Sequence, residues 1–282
     1  MCYCPESRGK KKGDLAKLMK RVINFIREYK QIYLSLVQND FHSRYNGSAF
    51  GVFWGVVQPL VTVLVYWFVF QIGLRAGDRP DRTPYILWLI CGMVPWFYFS
   101  EALGAVTNSL IEYGYLVKKL YFKVALIPMI KIGSSLIMHA IFIVLTTIIL
   151  NFYGYKADWF YIQVLYYTGA ATFLLIGLGL LLSSLTVFFR DMAQIVGIII
   201  QIGFWMIPIV WGSEVLTKPF DIIFKLNPVF YIIEGYRECF LGKVYFWEHP
   251  SLLVYFWIVS ALVFVIGIRT FQKLEASFAD VL

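Results

Sequence analysis

The residues of this chain that could carry chemistry are few and scattered. Its three histidines, His42, His139 and His249, and its four cysteines, Cys2, Cys4, Cys91 and Cys239, show no zinc or haem spacing. Cys2-x-Cys4 lacks a second pair and reads as a reduced tail, so no metal site is expected. The nearest approach to a phosphate loop, Arg8-Gly9-Lys10-Lys11-Lys12-Gly13, has neither the spacing nor the preceding strand that cradles a nucleotide. The chain therefore does not hydrolyse ATP by itself. No Ser/His/Asp set, His-Glu-x-x-His pair or acidic cluster able to hold a metal-bound sugar nucleotide is present, so no catalytic residue is assigned. What remains is a handful of ionisable groups in apolar surroundings, and such groups are functional candidates by default. Glu101 and Arg190-Asp191 fall at the ends of apolar runs and read as helix-end pairs. His139, set among Met138, Ile141 and Phe142, reads as a hydrogen-bonded core residue. The other signal is aromatic: Tyr66, Trp67, Phe68, Trp96, Phe97, Tyr98, Phe99, Phe204, Trp205 and Trp211 crowd the apolar runs. Such rings form interfacial belts and packing, and their faces also stack on sugars.

The elements that must position these residues are helices in a bilayer. Of the 282 residues, 60% are hydrophobic, 19% aromatic and only 15% charged, with a mean hydropathy of +0.69. Those values exclude an ordinary soluble enzyme. Six runs free of Asp, Glu, Lys and Arg are long enough to cross a hydrocarbon core. They predict an all-α membrane domain over 50–268, with spans at about 50–74, 84–106, 130–153, 161–185, 193–213 and 250–268. The runs are continuous, not alternating, which favours helices over barrel strands. An even number of crossings puts both termini on one side. That side carries 17 of the Lys and Arg residues against eight on the other, so both termini are expected in the cytoplasm of a plasma-membrane protein. This bias accounts for the formal charge of +8 without a nucleic-acid partner.

Outside the spans, residues 1–13 read as a basic disordered tail and 269–282 as a cytoplasmic tail. Residues 14–49 carry an apolar stripe between cations, as an amphipathic helix lying along the membrane interface does. The segment 107–129 is too polar to span and reads as a short cytoplasmic helix. Residues 214–248 are too apolar for a plain connector, yet Asn227-Pro228 and Gly235 break them into pieces too short to cross. They predict two half-helices that enter the outer leaflet and return.

The stretch Asn39-Asp40-Phe41-His42-Ser43-Arg44-Tyr45-Asn46-Gly47-Ser48, followed by Gly51-Val52-Phe53-Trp54 and Gln58-Pro59-Leu60, resembles the start of the first span in ABC-2 type permeases that export cell-surface polysaccharides. Tyr66-Trp67-Phe68-Val69-Phe70, Val94-Pro95-Trp96-Phe97-Tyr98, Leu116-Val117-Lys118-Lys119, Phe189-Arg190-Asp191 and Leu226 to Arg237 continue the resemblance in order. Within the family, the first span and Ile233-Glu234-Gly235-Tyr236-Arg237 look most like permeases of wall teichoic acid. The resemblance implies a homodimer of six-span subunits joined to two copies of a cytosolic ATP-binding cassette subunit. This chain holds no cofactor, since ATP and Mg belong to the partner. The cargo implied is a lipid-linked polymer, undecaprenyl-diphosphate-linked teichoic acid, flipped to the outer face. The alternatives are an O-antigen or capsule exporter of the same fold, or a membrane-embedded enzyme of lipid-linked sugar metabolism. Carried over by residue, Asp40, Arg44, Tyr45, Leu110, Glu112, Lys118, Lys119 and Lys123 would couple to the ATPase. Tyr66, Trp67, Trp96, Phe97, Tyr98 and Trp205 would line the cargo path. Asn227, Pro228, Tyr231, Glu234, Tyr236 and Arg237 would form the outer gate.

Overall fold

In the computed structural model, which describes residues 30–44, 50–75, 83–118, 123–212 and 224–282, 84% of those residues are helical and none forms a strand. The expected positions 14–29, Tyr45, Lys119 and 214–223 lie outside the described residues. Helix α1 covers residues 30–44 and α2 runs Val52–Gly73, its last six residues widening into a π-turn. The third helix, α3, is Tyr85–Thr107 and is followed by two single turns, α4 (Ser109–Glu112) and α5 (Gly114–Val117). Then come α6 (Leu126–Phe152), α7 (Gln163–Phe188, led in by a 3-10 turn at Trp159–Ile162) and α8 (Met192–Met206). The remaining elements are α9 (Pro228–Arg237), α10 (Pro250–Leu274) and α11 (Phe278–Val281).

Five of the apolar runs form helices long enough to cross a membrane. The run expected to span 193–213 does not do so among the described residues. Its helix stops at Met206 after 15 residues, about 22 Å against the roughly 30 Å of a hydrocarbon core. The cause is Pro208, which lacks a backbone donor and pushes the residue before it out of the helical region. Ile207 accordingly lies at φ −88°, ψ 137°. The segment 107–129, read as a short cytoplasmic helix, holds two single turns, α4 and α5, among its described residues, and α6 starts at Leu126, before the anticipated 130. The last helix continues beyond 268 to Leu274.

α3 is the centre of the bundle, buried along most of its length by α6, α7, α8 and α9. α7 and α10 cross at their closest through Gly177 and Gly267. A side chain on Gly267 would strike the Gly177 carbonyl, and one on Gly177 would come within 2.8 Å of the Phe264 Cα. Small residues at such crossings are how helices associate where lipid removes the hydrophobic drive. A smaller core, formed by Leu110, Leu116, Ile127, Val187, Phe271 and Phe278, ties α4, α5 and α11 to the ends of α6, α7 and α10. α9 starts as its sequence dictates: the Asn227 side chain accepts a hydrogen bond from the Val229 amide at 3.0 Å, and Pro228 fills the first helical position.

Candidate functional site

Three features gather the chemically capable residues. The first surrounds Asp40. Tyr33, Val37, Asp40 and Arg44 fall on one stripe of α1, and Lys131, Ser134 and Ser135 share one face of the first turns of α6. When the two helices pack, Asp40 is left only 3% exposed. Its carboxylate accepts from Lys131 Nζ at 2.8 Å, Tyr113 Oη at 2.7 Å, Ser134 Oγ at 2.5 Å and Arg44 Nη2 at 3.4 Å. Burial pushes this carboxyl up, but the Lys131 ammonium and the two hydroxyls outweigh it and hold Asp40 below the usual carboxylate range. The Tyr113 phenol is raised, by burial first and then by the Asp40 charge. Lys131 reaches on to Glu112 Oε2 at 2.6 Å and lies 5.1 Å from the centre of the Tyr113 ring. Arg44 pairs with Glu101 on α3 and donates to Ser134 Oγ at 3.0 Å and Ser135 Oγ at 3.3 Å. One connected network thus joins α1, α3, α4 and α6, and Glu101 is paired as the sequence indicated, though six residues before the end of α3 instead of at it.

The second feature is a cavity of about 650 Å³ directly beside Arg44 and Glu101, between α2, α3, α6 and α8. Its polar lining is Arg44, Gln58, Thr62, Ser100 and Glu101, and the rings of Trp54, Phe97 and Phe142 face it. Hydroxyls, an amide and aromatic faces on an apolar wall suit a saccharide, and the Arg44 guanidinium in the lining is already paired with Glu101 and Asp40. Above the cavity stands a ladder of rings: Tyr66 stacks on Phe204 at 5.2 Å, Trp205 meets Tyr66 edge-on at 6.4 Å, and Trp96 lies 5.9 Å from Phe204. Of the six rings expected to share a path, Tyr66, Trp96 and Trp205 meet in this ladder and Phe97 lines the cavity. Trp67 turns to Gln71 at 2.6 Å. Tyr98 points into the core, where its hydroxyl meets Thr172 at 2.8 Å and its ring stacks on His139 at 4.5 Å. Thr62 and Ser100 escaped the sequence reading because single hydroxyl residues inside apolar runs give no signal, and Gln58 and Phe142 appear there without a place in the path.

The third feature is the seat of α9 at the opposite end of the bundle. Arg237 is 4% exposed. It donates to the carbonyls of Pro208 at 2.8 Å and Ile209 at 2.9 Å, pairs with Glu234 at 3.1 Å, and lies 3.6 Å over the Trp88 ring. Tyr85 Oη donates to the next carbonyl, Val210, at 2.5 Å. Three successive carbonyls of the non-helical backbone after α8 are thereby satisfied by side chains, while the Ile207 and Ile209 amides bond to backbone carbonyls. Tyr236 bridges His139 Nε2 at 2.7 Å and Thr168 at 2.5 Å, and Tyr231 meets Tyr166 at 3.1 Å. The residues expected at a gate, Asn227, Pro228, Tyr231, Glu234, Tyr236 and Arg237, therefore sit together on one short helix locked into α3, α6 and α7. Of the remaining coupling candidates, Leu110 is fully buried in the small core, while Lys118 and Lys123 are exposed.

The sequence of this apolar helical bundle matches a known family. The ABC-2 type transporter family model matches residues 31–241. The chain belongs to that family. It is 29% identical over 253 residues, 88% of this chain and 93% of the relative, to the O-antigen export system permease protein RfbA of Klebsiella pneumoniae. A second protein of that name from Klebsiella pneumoniae is 28% identical over 249 residues, and one from Myxococcus xanthus is 22% identical over 224 residues, covering 79% of this chain and 85% of the relative. As an ABC-2 type transporter the chain is a transmembrane subunit, and family membership implies a separate ATP-binding partner.

Proposed function

We propose that this chain is the permease half of an ATP-driven exporter that carries a lipid-linked cell-surface polysaccharide of the O-antigen class to the outer face of the plasma membrane. The observation that carries the reading is the cavity of about 650 Å³, saccharide-suited in its lining, opening beside the Arg44–Glu101 pair of the junction network. In this reading α1, α4 and α5 face the cytoplasm, in keeping with the excess of basic residues on that side, and rest on the ATPase. A push on α4 reaches α3 and α6 through Glu112, Lys131, Asp40, Arg44 and Glu101, and so reaches the cavity wall. The exposed apolar faces of α2 and α8 pair with a second copy of the chain, and two ATP-binding subunits complete the assembly. α9, of ten residues, is the re-entrant element at the outer side, and the aromatic ladder guides the sugars.

Between the two polymer classes expected from the sequence, the named relatives favour O-antigen over wall teichoic acid. The test is to co-express the chain with its ATP-binding subunit, reconstitute the complex in liposomes, and measure ATP hydrolysis with lipid-linked O-polysaccharide or lipid-linked polyol phosphate. Stimulation by the first and not the second is expected, and Lys118→Glu/Lys119→Glu abolishes the coupling. Stimulation by the polyol phosphate alone would return the reading to teichoic acid. Turnover of a lipid-linked sugar by the chain without any partner would overturn the transporter reading in favour of an enzyme.

A further inference from the structure

α1 is held unevenly. Its second half is clamped to α6 by the Asp40 and Arg44 network, whereas its first half touches α6 through Val37 and one hydrogen bond, from Tyr33 Oη to the Met129 carbonyl at 3.1 Å. Gly133 permits even that contact, since a side chain there would collide with the Tyr33 hydroxyl and come within 2.9 Å of Val37. Beyond it α1 parts from α6 and α7 and leaves a cavity of about 380 Å³, distinct from the one beside Glu101. Leu34 of α1, Met129, Ile132 and Leu136 of α6 and Ile176 of α7 form its walls, with Lys30 at the rim.

Water is a poor occupant of this space. A buried water needs two to four polar partners, and the lining offers few: the Tyr33 hydroxyl is committed to Met129, and Thr172 Oγ1 is committed to the Thr168 carbonyl at 2.8 Å and to Tyr98. Hydrocarbon suits the walls, and Leu34 at the mouth, 47% exposed, continues the apolar surface outward. The rim is cationic. Lys30 is exposed and has no carboxylate partner among the described residues, and in the sequence it follows Lys17, Lys20, Arg21 and Arg27. An apolar slot of about 380 Å³ with a lysine in its lining is complementary to an anionic amphiphile.

We infer that this cavity binds one acyl chain of an anionic glycerophospholipid whose headgroup lies against Lys30, the lipid acting as a wedge between the interface helix α1 and the bundle. The site shares no lining residue with the Glu101 cavity or the aromatic ladder and does not depend on which cargo is moved. The lipid completes the packing of α1 and thereby stiffens the element that carries Asp40 and Arg44.

The full chain, purified and reconstituted in phosphatidylcholine vesicles doped with mid-chain spin-labelled phosphatidylglycerol or phosphatidylcholine, tests this by the motionally restricted component of the spectrum. Wild-type protein is expected to restrict phosphatidylglycerol roughly five-fold better than phosphatidylcholine, the factor supplied by one juxtamembrane cation. Ile176→Trp, which fills the slot, reduces the restricted component to that of the lipid annulus around the bundle and removes its excess of phosphatidylglycerol. Lys30→Glu, an exposed change that leaves the packing intact, keeps a restricted component and loses the preference for phosphatidylglycerol. An unchanged component in Ile176→Trp, or no difference between the two lipids in the wild type, overturns the inference. Because nothing in the measurement involves ATP or polymer, its failure leaves the export reading standing.

Discussion

At one end of the bundle a carboxylate, Asp40, is buried among side chains from several elements; at the other a guanidinium, Arg237, is buried among backbone carbonyls and an indole. Both are charges removed from water, and each is tolerated because charged or polar partners surround it, although the Arg237 Nε is left without a hydrogen-bond acceptor among the described residues. The partners differ in kind. Those of Asp40 are a lysine, an arginine and two hydroxyls, each able to rotate to another acceptor: Lys131 already shares itself with Glu112, and Arg44 with Glu101. Those of Arg237 are, besides the Glu234 carboxylate, the carbonyls of Pro208 and Ile209 in the turn after α8, which cannot follow a moving side chain. The Asp40 end is built as a joint that re-pairs, and the Arg237 end as an anchor that holds.

The comparison can be broken most forcefully at the anchor. Arg237→Ala strips donors from two buried carbonyls and empties the space over Trp88, and is expected to cost about 3–5 kcal/mol, the scale of breaking a buried ion contact. Thermal unfolding of the purified complex in detergent should show the loss, and a fall of less than 1 °C would sink the anchor description. Asp40→Asn keeps shape but not charge, and weakens hydrogen bonds from two cations at about 2–3 kcal/mol. Its pH signature sharpens the contrast. A carboxyl whose folded pKa is depressed contributes stability that is present above the unfolded value of about 4 and is lost as pH falls through the folded value. The wild type should therefore lose stability below about pH 4 more steeply than Asp40→Asn, and parallel curves would refute the assignment. Tyr236→Phe removes one hydroxyl from between His139 and Thr168 and should cost about 1–2 kcal/mol without altering that acid limb. The smallest effect belongs to Glu112→Gln: this half-exposed partner of Lys131 contributes under about 1 kcal/mol to stability. Yet if the Asp40 end is a joint, the same change lowers polymer-stimulated ATP hydrolysis far more than it lowers the melting temperature.

The apolar runs announced the long helices well, because a stretch of twenty residues without a charge has little choice in lipid. The end of α8 was hidden for the same reason. Ile207, Ile209 and Val210 are as apolar as the helix before them, and only Pro208 marked the break. The junction was half legible: Asp40, Arg44, Glu101 and Glu112 could be named, but Lys131 is 91 positions from Asp40 and nothing in either neighbourhood points to the other. The aromatic path was over-read where spacing already spoke. Trp96 and Tyr98 are two residues apart on a helix, about 200° around its axis, so they cannot face one channel, and the structure sends Trp96 to Phe204 and Tyr98 to His139.

The carbonyls of Pro208, Ile209 and Val210 are satisfied from Tyr85, made long before them, and from Arg237, which lies 29 residues after Pro208 in the chain. During synthesis the stretch after α8 therefore leaves the ribosome with two acceptors still unclaimed. Its integration into the membrane stays provisional until α9 emerges to close it. Biogenesis thus has a checkpoint written into the order of the sequence, and nascent chains ending before Arg237 should be extracted and degraded while those ending after it are retained.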